Sequence, residues 1–242
     1  HESFLNVSGE KQVLKAVRNC YASLFTDRAI SYRKEKGFKQ LEVYLSACIQ
    51  KMVRSDLASS GVMFTIDTET GFDKVLIINS VWGIGEMIVK GRITPDKFFV
   101  FKTGLADGYK SIISKSLGRK NRKYVYSKNS GLKEVAVNKQ DQNILSLTDE
   151  EVLTLAKWGC VIEKHYGNAQ DIEWAKDGKT GQLFIVQSRP ETVHSNQEGH
   201  FYTEYVIDSK KDPTLYGIAV GNKIGIGRVR VILDPKEMKD FK

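Results

Sequence analysis

The stretch DIEWAKDGKTGQLFIVQSR, residues 171–189, contains the strongest fold signal in this chain. Two runs of strand-forming residues, 171–176 and 183–188, flank the turn-forming sequence DGKTG at 177–181. Alternating runs on either side of a glycine-containing turn predict a β-hairpin. Because residues two apart in a strand lie on one face, the hairpin also predicts which side chains meet.

The predicted hairpin collects polar side chains on one face. Asp171 and Glu173 point the same way on the first strand, and Gln187 and Arg189 share a face with Ile185 on the second. If Glu173 pairs with Gln187, then Asp171 lies opposite Arg189. One face of the sheet would then hold two carboxylates, an amide oxygen and a guanidinium.

This combination of side chains has two interpretations. Carboxylate and amide oxygens are the hard ligands that Mg²⁺ takes, while water and phosphate oxygens complete its shell. Arginine supplies a planar set of donors for a phosphate, so the face could hold a metal–nucleotide complex. The alternative is a cross-strand salt bridge beside a neutral neighbour, which is a common structural pair. Spacing alone leaves both interpretations open.

The rest of the chain predicts helices first, then many strands, then a helix before the hairpin. Helices are predicted at 11–25 and 28–36, and a third helix starts with a capping box at Thr148 and Glu151 and ends at Gly167. Strands are predicted at 43–53, 61–66, 74–80, 97–102, 112–115, 124–127 and 228–233, with a loop at 128–146 and a short helix from Pro235. Strands that follow one another through short turns indicate an α+β fold with a largely antiparallel sheet and flanking helices.

Composition excludes several classes of protein. The 242 residues are 41% hydrophobic, which excludes a wholly disordered chain, and no apolar run approaches the roughly 18 residues of a membrane helix. The three cysteines are far apart and odd in number, which predicts reduced thiols and a cytoplasmic protein.

The positive charge is concentrated in residues 110–139. This segment has nine basic residues and one acidic residue, which accounts for the whole net charge of +8. A segment of this kind could bind nucleic acid, but only two tyrosines lie among its charges, so a solvated arm is the favoured interpretation. A basic RNA-binding module remains a remote alternative, tested by salt-dependent RNA binding that is lost when residues 119–123 are neutralised.

Two further segments could contact a nucleotide. The turn at 82–86 follows an apolar strand and includes Gly83, Gly85 and Glu86, so its backbone amides could approach a phosphate. The segment with Gln50, Met52 and Val53 could offer backbone groups and a flexible apolar side chain to a flat ring such as adenine. Without further context, a tight turn and an ordinary strand are the default interpretations.

Five separated motifs together resemble one family. The segments 49–56, 60–69, 82–86, 171–175 and 187–192 occur in the order found in the bacterial phosphoenolpyruvate synthase (pyruvate, water dikinase) family. The resemblance implies an ATP-grasp nucleotide-binding domain. In that family ATP phosphorylates a histidine on a swivelling domain, releasing AMP and phosphate, and the phosphohistidine then phosphorylates pyruvate on a barrel domain.

The resemblance also implies roles for individual residues. Glu173 and Gln187 would bind Mg²⁺ with Asp171 beside them, and Arg189 would contact the ATP phosphates, so Glu173 and Arg189 would be the catalytic residues. The remaining ATP-binding residues would be those that border the adenine (Gln50, Met52, Val53) and those of the turn near the nucleotide cleft (Gly83, Gly85, Glu86).

The same resemblance predicts a partial enzyme. We expect residues 1–193 to form the ATP-grasp domain without its N-terminal part, 194–212 to form a linker, and 213–242 to begin a swivelling domain. None of the four histidines has the Gly-Gly-x-Thr-x-His context of the phosphohistidine. We therefore expect no pyruvate turnover by this chain alone and at best weak ATP binding by isothermal titration. A pyruvate phosphate dikinase or an antibiotic phosphotransferase would share the hairpin and remains an alternative.

Overall fold

The computed structural model describes residues 2–128, 130–191, 212, 214–215 and 224–231. The helices are α1 (Glu10–Ala22), α2 (Asp27–Glu35), α3 (Glu86–Val89), α4 (Lys102–Ala106), α5 (Lys139–Gln142) and α6 (Asp149–Tyr166), with 3₁₀ turns at Ser23–Phe25 and Ser55–Leu57. The strands are β1 (Ser59–Phe64), β2 (Val75–Trp82), β3 (Asp96–Phe101), β4 (Ile112–Ser116), β5 (Arg122–Tyr126), β6 (Leu132–Ala136), β7 (Gln170–Lys176) and β8 (Leu183–Pro190).

Six of these strands form one sheet in the order β4-β3-β2-β1-β7-β8, and all five pairings are antiparallel. Strands β5 and β6 form a separate antiparallel hairpin. Strands β1 to β4 pair in chain order, with α3 between β2 and β3 and α4 between β3 and β4, and α6 precedes β7, which pairs with β1. The predicted α+β class with a largely antiparallel sheet is therefore confirmed.

Helix α6 covers one face of the sheet. Thr148 and Glu151 form the predicted capping box, and Gly167 ends the helix at φ 72°. The buried face of α6 and the inward side chains of four strands, β1, β2, β3 and β7, form one core: Met63, Leu76, Ile78, Phe98, Val100, Val152, Leu155, Ala156, Ile172 and Trp174. Gly159 lets the helix approach closely, because a Cβ there would lie 2.6 Å from Leu76 Cδ1.

Two of the predicted elements are wrong. Residues 43–53 are not a strand, because no strand among the described residues pairs with them, and Tyr44 and Ile49 are largely exposed. Residues 128–146 are not a loop throughout, since they contain β6 and α5. The charged residues of β6 obscure its alternation in sequence, whereas its ladder with β5 gives the strand its partner.

The basic segment 110–139 is folded into strands β4, β5 and β6 rather than forming a solvated arm. Lys120 is fully buried and forms an ion pair with the fully buried Asp96. Asp96 Oδ1 also accepts from Gly118 N at 2.8 Å, and Oδ2 accepts from Ser146 N at 2.8 Å and Oγ at 2.7 Å. The Ser146 hydroxyl lies 2.7 Å from Ser80 Oγ. Both carboxylate oxygens therefore have partners, as burial of a charge requires.

Several predictions lie largely outside the described residues. These are the linker at 194–212, the start of a swivelling domain at 213–242 and the helix from Pro235. The described residues 224–231, which include part of the predicted strand at 228–233, contain no regular secondary structure. Within the described part of the chain, no helix combines the length and apolarity that crossing a bilayer requires.

The buried ion pair makes a testable difference between two lysines of the basic segment. Lys120→Met leaves the Asp96 charge buried without its cation, so we expect a loss of about 3–5 kcal/mol in the free energy of unfolding, measured by urea denaturation. Lys115→Met removes a partly exposed pair with Asp149 and should cost at most about 1 kcal/mol. Equal losses in the two variants would contradict this account.

Candidate active site

The β7–β8 hairpin has the predicted register. Glu173 pairs with Gln187, and Asp171 pairs with Arg189. Ile172 and Trp174, which alternate with the two acids, are buried in the core against α6. Asp171 and Glu173 therefore lie on the opposite face of the sheet, away from that helix.

The second strand contains a bulge that the sequence did not predict. Trp174 pairs with Ile185 while Glu173 pairs with Gln187, so Val186 is the extra residue. Ile185 was expected on the face of Gln187, but it packs against the α6 core instead. The bulge is the reason, because one additional residue reverses the alternation between Ile185 and Gln187.

Arg189 is oriented by Asp171. Its Nε donates to Asp171 Oδ2 at 2.8 Å, and its Nη2 lies 2.6 Å from the same oxygen. The Asp171 side chain is 13% exposed, whereas the Arg189 side chain is 67% exposed. Nη1 of Arg189 has no hydrogen-bond partner among the described residues, so the guanidinium is held on one side and open on the other.

Glu173, unlike Asp171, has no hydrogen-bonded or ion-paired partner within the described residues. Its side chain is partly buried. Burial raises the pKa of Glu173, the neighbouring Asp171 charge raises it further, and Arg189 lowers it. Gln187, directly opposite Glu173, is exposed, and its side-chain amide also has no hydrogen bond within the described residues. A partly desolvated carboxylate without a cation is the environment that an added cation would stabilise.

These donors fit a magnesium ion. Glu173 and Gln187 offer hard oxygen atoms on adjacent strands, with Asp171 on the same face. Among the described residues, no cluster of three or more histidine, cysteine, aspartate or glutamate side chains could hold a metal. Mg²⁺ commonly takes only one or two protein carboxylates and completes its shell with water and phosphate oxygens.

The glycine turn after β2 is held by the protein itself. Gly83 has φ 81°, and a Cβ there would lie 2.5 Å from Tyr124 O, so only glycine fits. The Gly83 amide donates to Ala58 O at 2.9 Å, and the Ile84 amide donates to Tyr124 O at 3.2 Å. These two amides therefore already have partners and are not available to a phosphate.

The other two members of the turn lie at the start of α3. Gly85 precedes the helix, and Glu86 in its first turn forms an ion pair with Lys90 at 2.7 Å. A Cβ at Gly85 would lie 3.3 Å from Ser60 Oγ, so the turn packs tightly on β1.

The segment 50–53 has free backbone groups. The amide N–H groups of residues 50–53 and the carbonyl groups of residues 50–52 have no hydrogen-bond partner within the described residues. The Gln50 side chain donates to Val186 O at 3.3 Å, which attaches the segment to the bulge of β8. Met52 and Val53 are partly buried. The segment therefore presents a row of donors and acceptors next to apolar side chains.

Sequence reasoning missed the residues that hold this segment. Tyr126 donates its hydroxyl to Val53 O at 2.7 Å, and Arg54 binds Asp56 with its Nε and Nη2 at 2.8 and 2.9 Å. The Arg54 amide donates to Asp177 Oδ2 at 3.3 Å. Tyr126 and Asp177 are 73 and 123 residues away from these partners, so no local pattern could have indicated the contacts.

The domain is of the α+β class, with a helix on one face of an antiparallel sheet and carboxylate, amide and guanidinium groups on the other face. This arrangement is compatible with a nucleotide-binding domain of the ATP-grasp type. The family model described as "Pyruvate phosphate dikinase, AMP/ATP-binding domain" matches residues 1–207. The chain belongs to this family.

Curated relatives agree with this assignment. The chain is 50% identical to a phosphoenolpyruvate synthase of Aquifex aeolicus over 99% of its own length, and 51% identical to one of Escherichia coli over 98%. A phosphoenolpyruvate synthase of Helicobacter pylori is 45% identical over the whole chain. The chain spans 29%, 30% and 32% of the length of these relatives, respectively.

The raised pKa of Glu173 gives a pH-dependent prediction. The pKa of Glu173 in the folded protein lies above its ordinary value of 4.5. At pH values between these two pKa values, the folded protein binds more protons than the unfolded chain. The free energy of unfolding of the wild type therefore falls as the pH rises through this range. Glu173→Gln removes the charge and should raise the free energy of unfolding at pH 7 but not at pH 4, measured by urea denaturation. Glu134→Gln, which removes an ion pair with Arg122, should give no gain at pH 7. A loss of stability in Glu173→Gln at pH 7 would contradict the assignment of an unpaired, desolvated carboxylate.

Proposed function

We propose that this chain is the ATP-binding part of an enzyme of the phosphoenolpyruvate synthase type, which converts ATP, pyruvate and water into AMP, phosphoenolpyruvate and phosphate. The single observation that carries the proposal is the β7–β8 register, which brings Asp171, Glu173, Gln187 and Arg189 to one face of the sheet. The family match and the curated relatives support the same function.

Glu173 and Gln187 would hold Mg²⁺, with Asp171 beside them. Bound magnesium supplies positive charge that neutralises the oxygens of the triphosphate. The carboxylate of Glu173 must be ionised for this role, and the metal would provide the partner that the described residues do not. Because the protein offers few ligands, phosphate oxygens of ATP and water would complete the coordination shell of the metal.

Arg189 would contact the phosphates of ATP. Asp171 holds Nε and Nη2 of its guanidinium, so the side chain has little freedom while Nη1 remains open to an anion. A guanidinium that is positioned before the substrate binds loses little conformational entropy when it forms hydrogen bonds to phosphate. In this role Arg189 stabilises negative charge on the phosphates during transfer.

The segment 50–53 would border the adenine. Its unpaired amides and carbonyls match the donor and acceptor edge of that base, and Met52 offers a flexible apolar side chain to the ring face. The turn with Gly83, Gly85 and Glu86 would shape the nearby cleft rather than donate the two amides that are already paired.

Catalysis would consist mainly of positioning and charge neutralisation around an in-line phosphoryl transfer. A histidine on another domain of the same polypeptide would accept the phosphoryl group, and pyruvate would bind on a further domain. Residues 1–193 would belong to the nucleotide-binding domain, 194–212 to a linker and 213–242 to the start of the domain with that histidine. The three free cysteines fit a cytoplasmic location.

The name of the matching family favours a second candidate. A pyruvate phosphate dikinase would use the same nucleotide site but transfer one phosphoryl group to inorganic phosphate instead of water. The acceptor distinguishes the two: stoichiometric release of phosphate in a phosphate-free assay supports the synthase, whereas a requirement for added phosphate and formation of pyrophosphate support the dikinase.

The site assignment is tested in the full-length protein by substituting single side chains. We expect Glu173→Gln and Arg189→Met each to reduce AMP formation from ATP and pyruvate by about 100-fold or more, since each removes charge stabilisation at the phosphates. AMP formation is measured by chromatography at saturating magnesium.

A matched arginine controls for loss of surface charge. Arg122 is also 67% exposed and forms an ion pair with Glu134, but it lies on the separate β5–β6 hairpin. Arg122→Met should keep AMP formation within about twofold of wild type, as expected for a surface ion pair outside the site. Wild-type turnover in both site variants would remove the assignment.

A further inference from the structure

The hydroxyl of Tyr126 connects two parts of the domain that are distant in sequence. It donates to Val53 O at 2.7 Å, and the same carbonyl accepts from Ser55 N at 2.8 Å. Burial raises the pKa of Tyr126 to about 12, and the charge of Asp56 acts in the same direction. The hydroxyl therefore keeps its proton and remains a donor throughout the neutral pH range.

The peptide group between Val53 and Arg54 is fixed at both ends. Tyr126 and Ser55 hold its carbonyl oxygen, and Asp177 Oδ2 accepts from its N–H at 3.3 Å. The carboxylate of Asp177 is held in turn by the amides of its own turn at 2.8 and 3.1 Å. A peptide plane with both polar groups bound cannot rotate without breaking these bonds.

The side chain of Arg54 reinforces the same junction. Its guanidinium binds Asp56 and lies 5.4 Å from the centre of the Tyr126 ring, which holds the ring in place under the segment. On the other side, Gly178 N donates to Arg54 O at 3.1 Å. Residues 53 and 54 are thus anchored to β5 and to the β7–β8 turn, whereas the backbone of residues 50–52 has no such bonds within the described residues.

We propose that Tyr126 is a positioning residue of the nucleotide site: its bond to the Val53 carbonyl anchors the C-terminal end of the segment 50–53 and so holds the free backbone groups in the arrangement that receives the base. This inference rests on the proposed function. The Tyr126 hydroxyl donates to Val53 O and makes no hydrogen bond to Glu173 or Gln187. Anchoring the segment before ATP binds reduces the conformational entropy lost on binding.

The experiment uses Tyr126→Phe in the full-length protein, which removes one hydroxyl and keeps the ring. We expect the KM for ATP to rise about two- to tenfold, the range of a single hydrogen bond between neutral groups, with kcat within twofold of wild type. Hydrogen exchange followed by mass spectrometry should show faster exchange in the same variant of the Arg54 and Ser55 amides, which donate to Asp177 Oδ2 and Val53 O.

Tyr124→Phe is the matched control. Tyr124 lies two residues away on the same face of the hairpin, and its hydroxyl accepts from Arg92 Nη1 at 3.1 Å rather than contacting the segment. We expect this variant to keep the wild-type KM for ATP and wild-type exchange at residues 54 and 55.

Two outcomes would overturn the proposal. Unchanged exchange of the Arg54 and Ser55 amides in Tyr126→Phe would mean that the hydroxyl does not hold the segment. Faster exchange with an unchanged KM for ATP would mean that the anchored segment does not serve the nucleotide. Neither outcome depends on the phosphate side of the site, because the proposed function is tested separately by the Glu173 and Arg189 variants.

Discussion

Strand β7 lies between β1 and β8, and its pairing with both fixes the side of the sheet on which the polar side chains of the hairpin lie. Trp174 holds the register, since its ring fits against β1 only because residue 61 is glycine. A Cβ at Gly61 would lie 2.8 Å from Trp174 Cζ2 and 1.9 Å from Asn79 O. With Trp174 buried in the core, the alternation of the strand leaves Glu173 and Asp171 on the face opposite α6.

The parts of the fold that depend on local alternation could be predicted from sequence. The pairing of Glu173 with Gln187, the capping box of α6 and most strands of the main sheet follow from neighbouring residues, and the structure agrees with them. The segment 43–53 could not be predicted in this way. Its β-branched and aromatic residues favour an extended chain, but a strand also needs a partner, and the sequence does not indicate whether one is present.

The sequence likewise predicted one part of the candidate site and not the other. The polar side chains of the hairpin could be assigned to one face because they follow a two-residue period, whereas the contacts of Tyr126 and Asp177 with residues 53 and 54 depend on how distant elements pack. Lys120 shows the same limit. In sequence it is one of nine similar basic residues, and only the packing of β3 against the following segment brings Asp96 to it and buries both charges.

The extra residue in β8 resolves a conflict that a regular strand could not. In a regular strand, residues two apart lie on one face. Without the bulge, two apolar side chains and two polar side chains of β8 would therefore lie on the same face: Leu183, Ile185, Gln187 and Arg189. The extra residue Val186 reverses the alternation of side chains halfway along β8. Leu183 and Ile185 therefore pack against the apolar core, whereas Gln187 and Arg189 lie on the opposite, polar face. In a homologue with one residue fewer or more between Ile185 and Gln187, either the apolar pair or the polar pair would lie on the wrong face of the sheet. We therefore expect the number of residues in this part of β8 to vary less among homologues than the identity of residue 186.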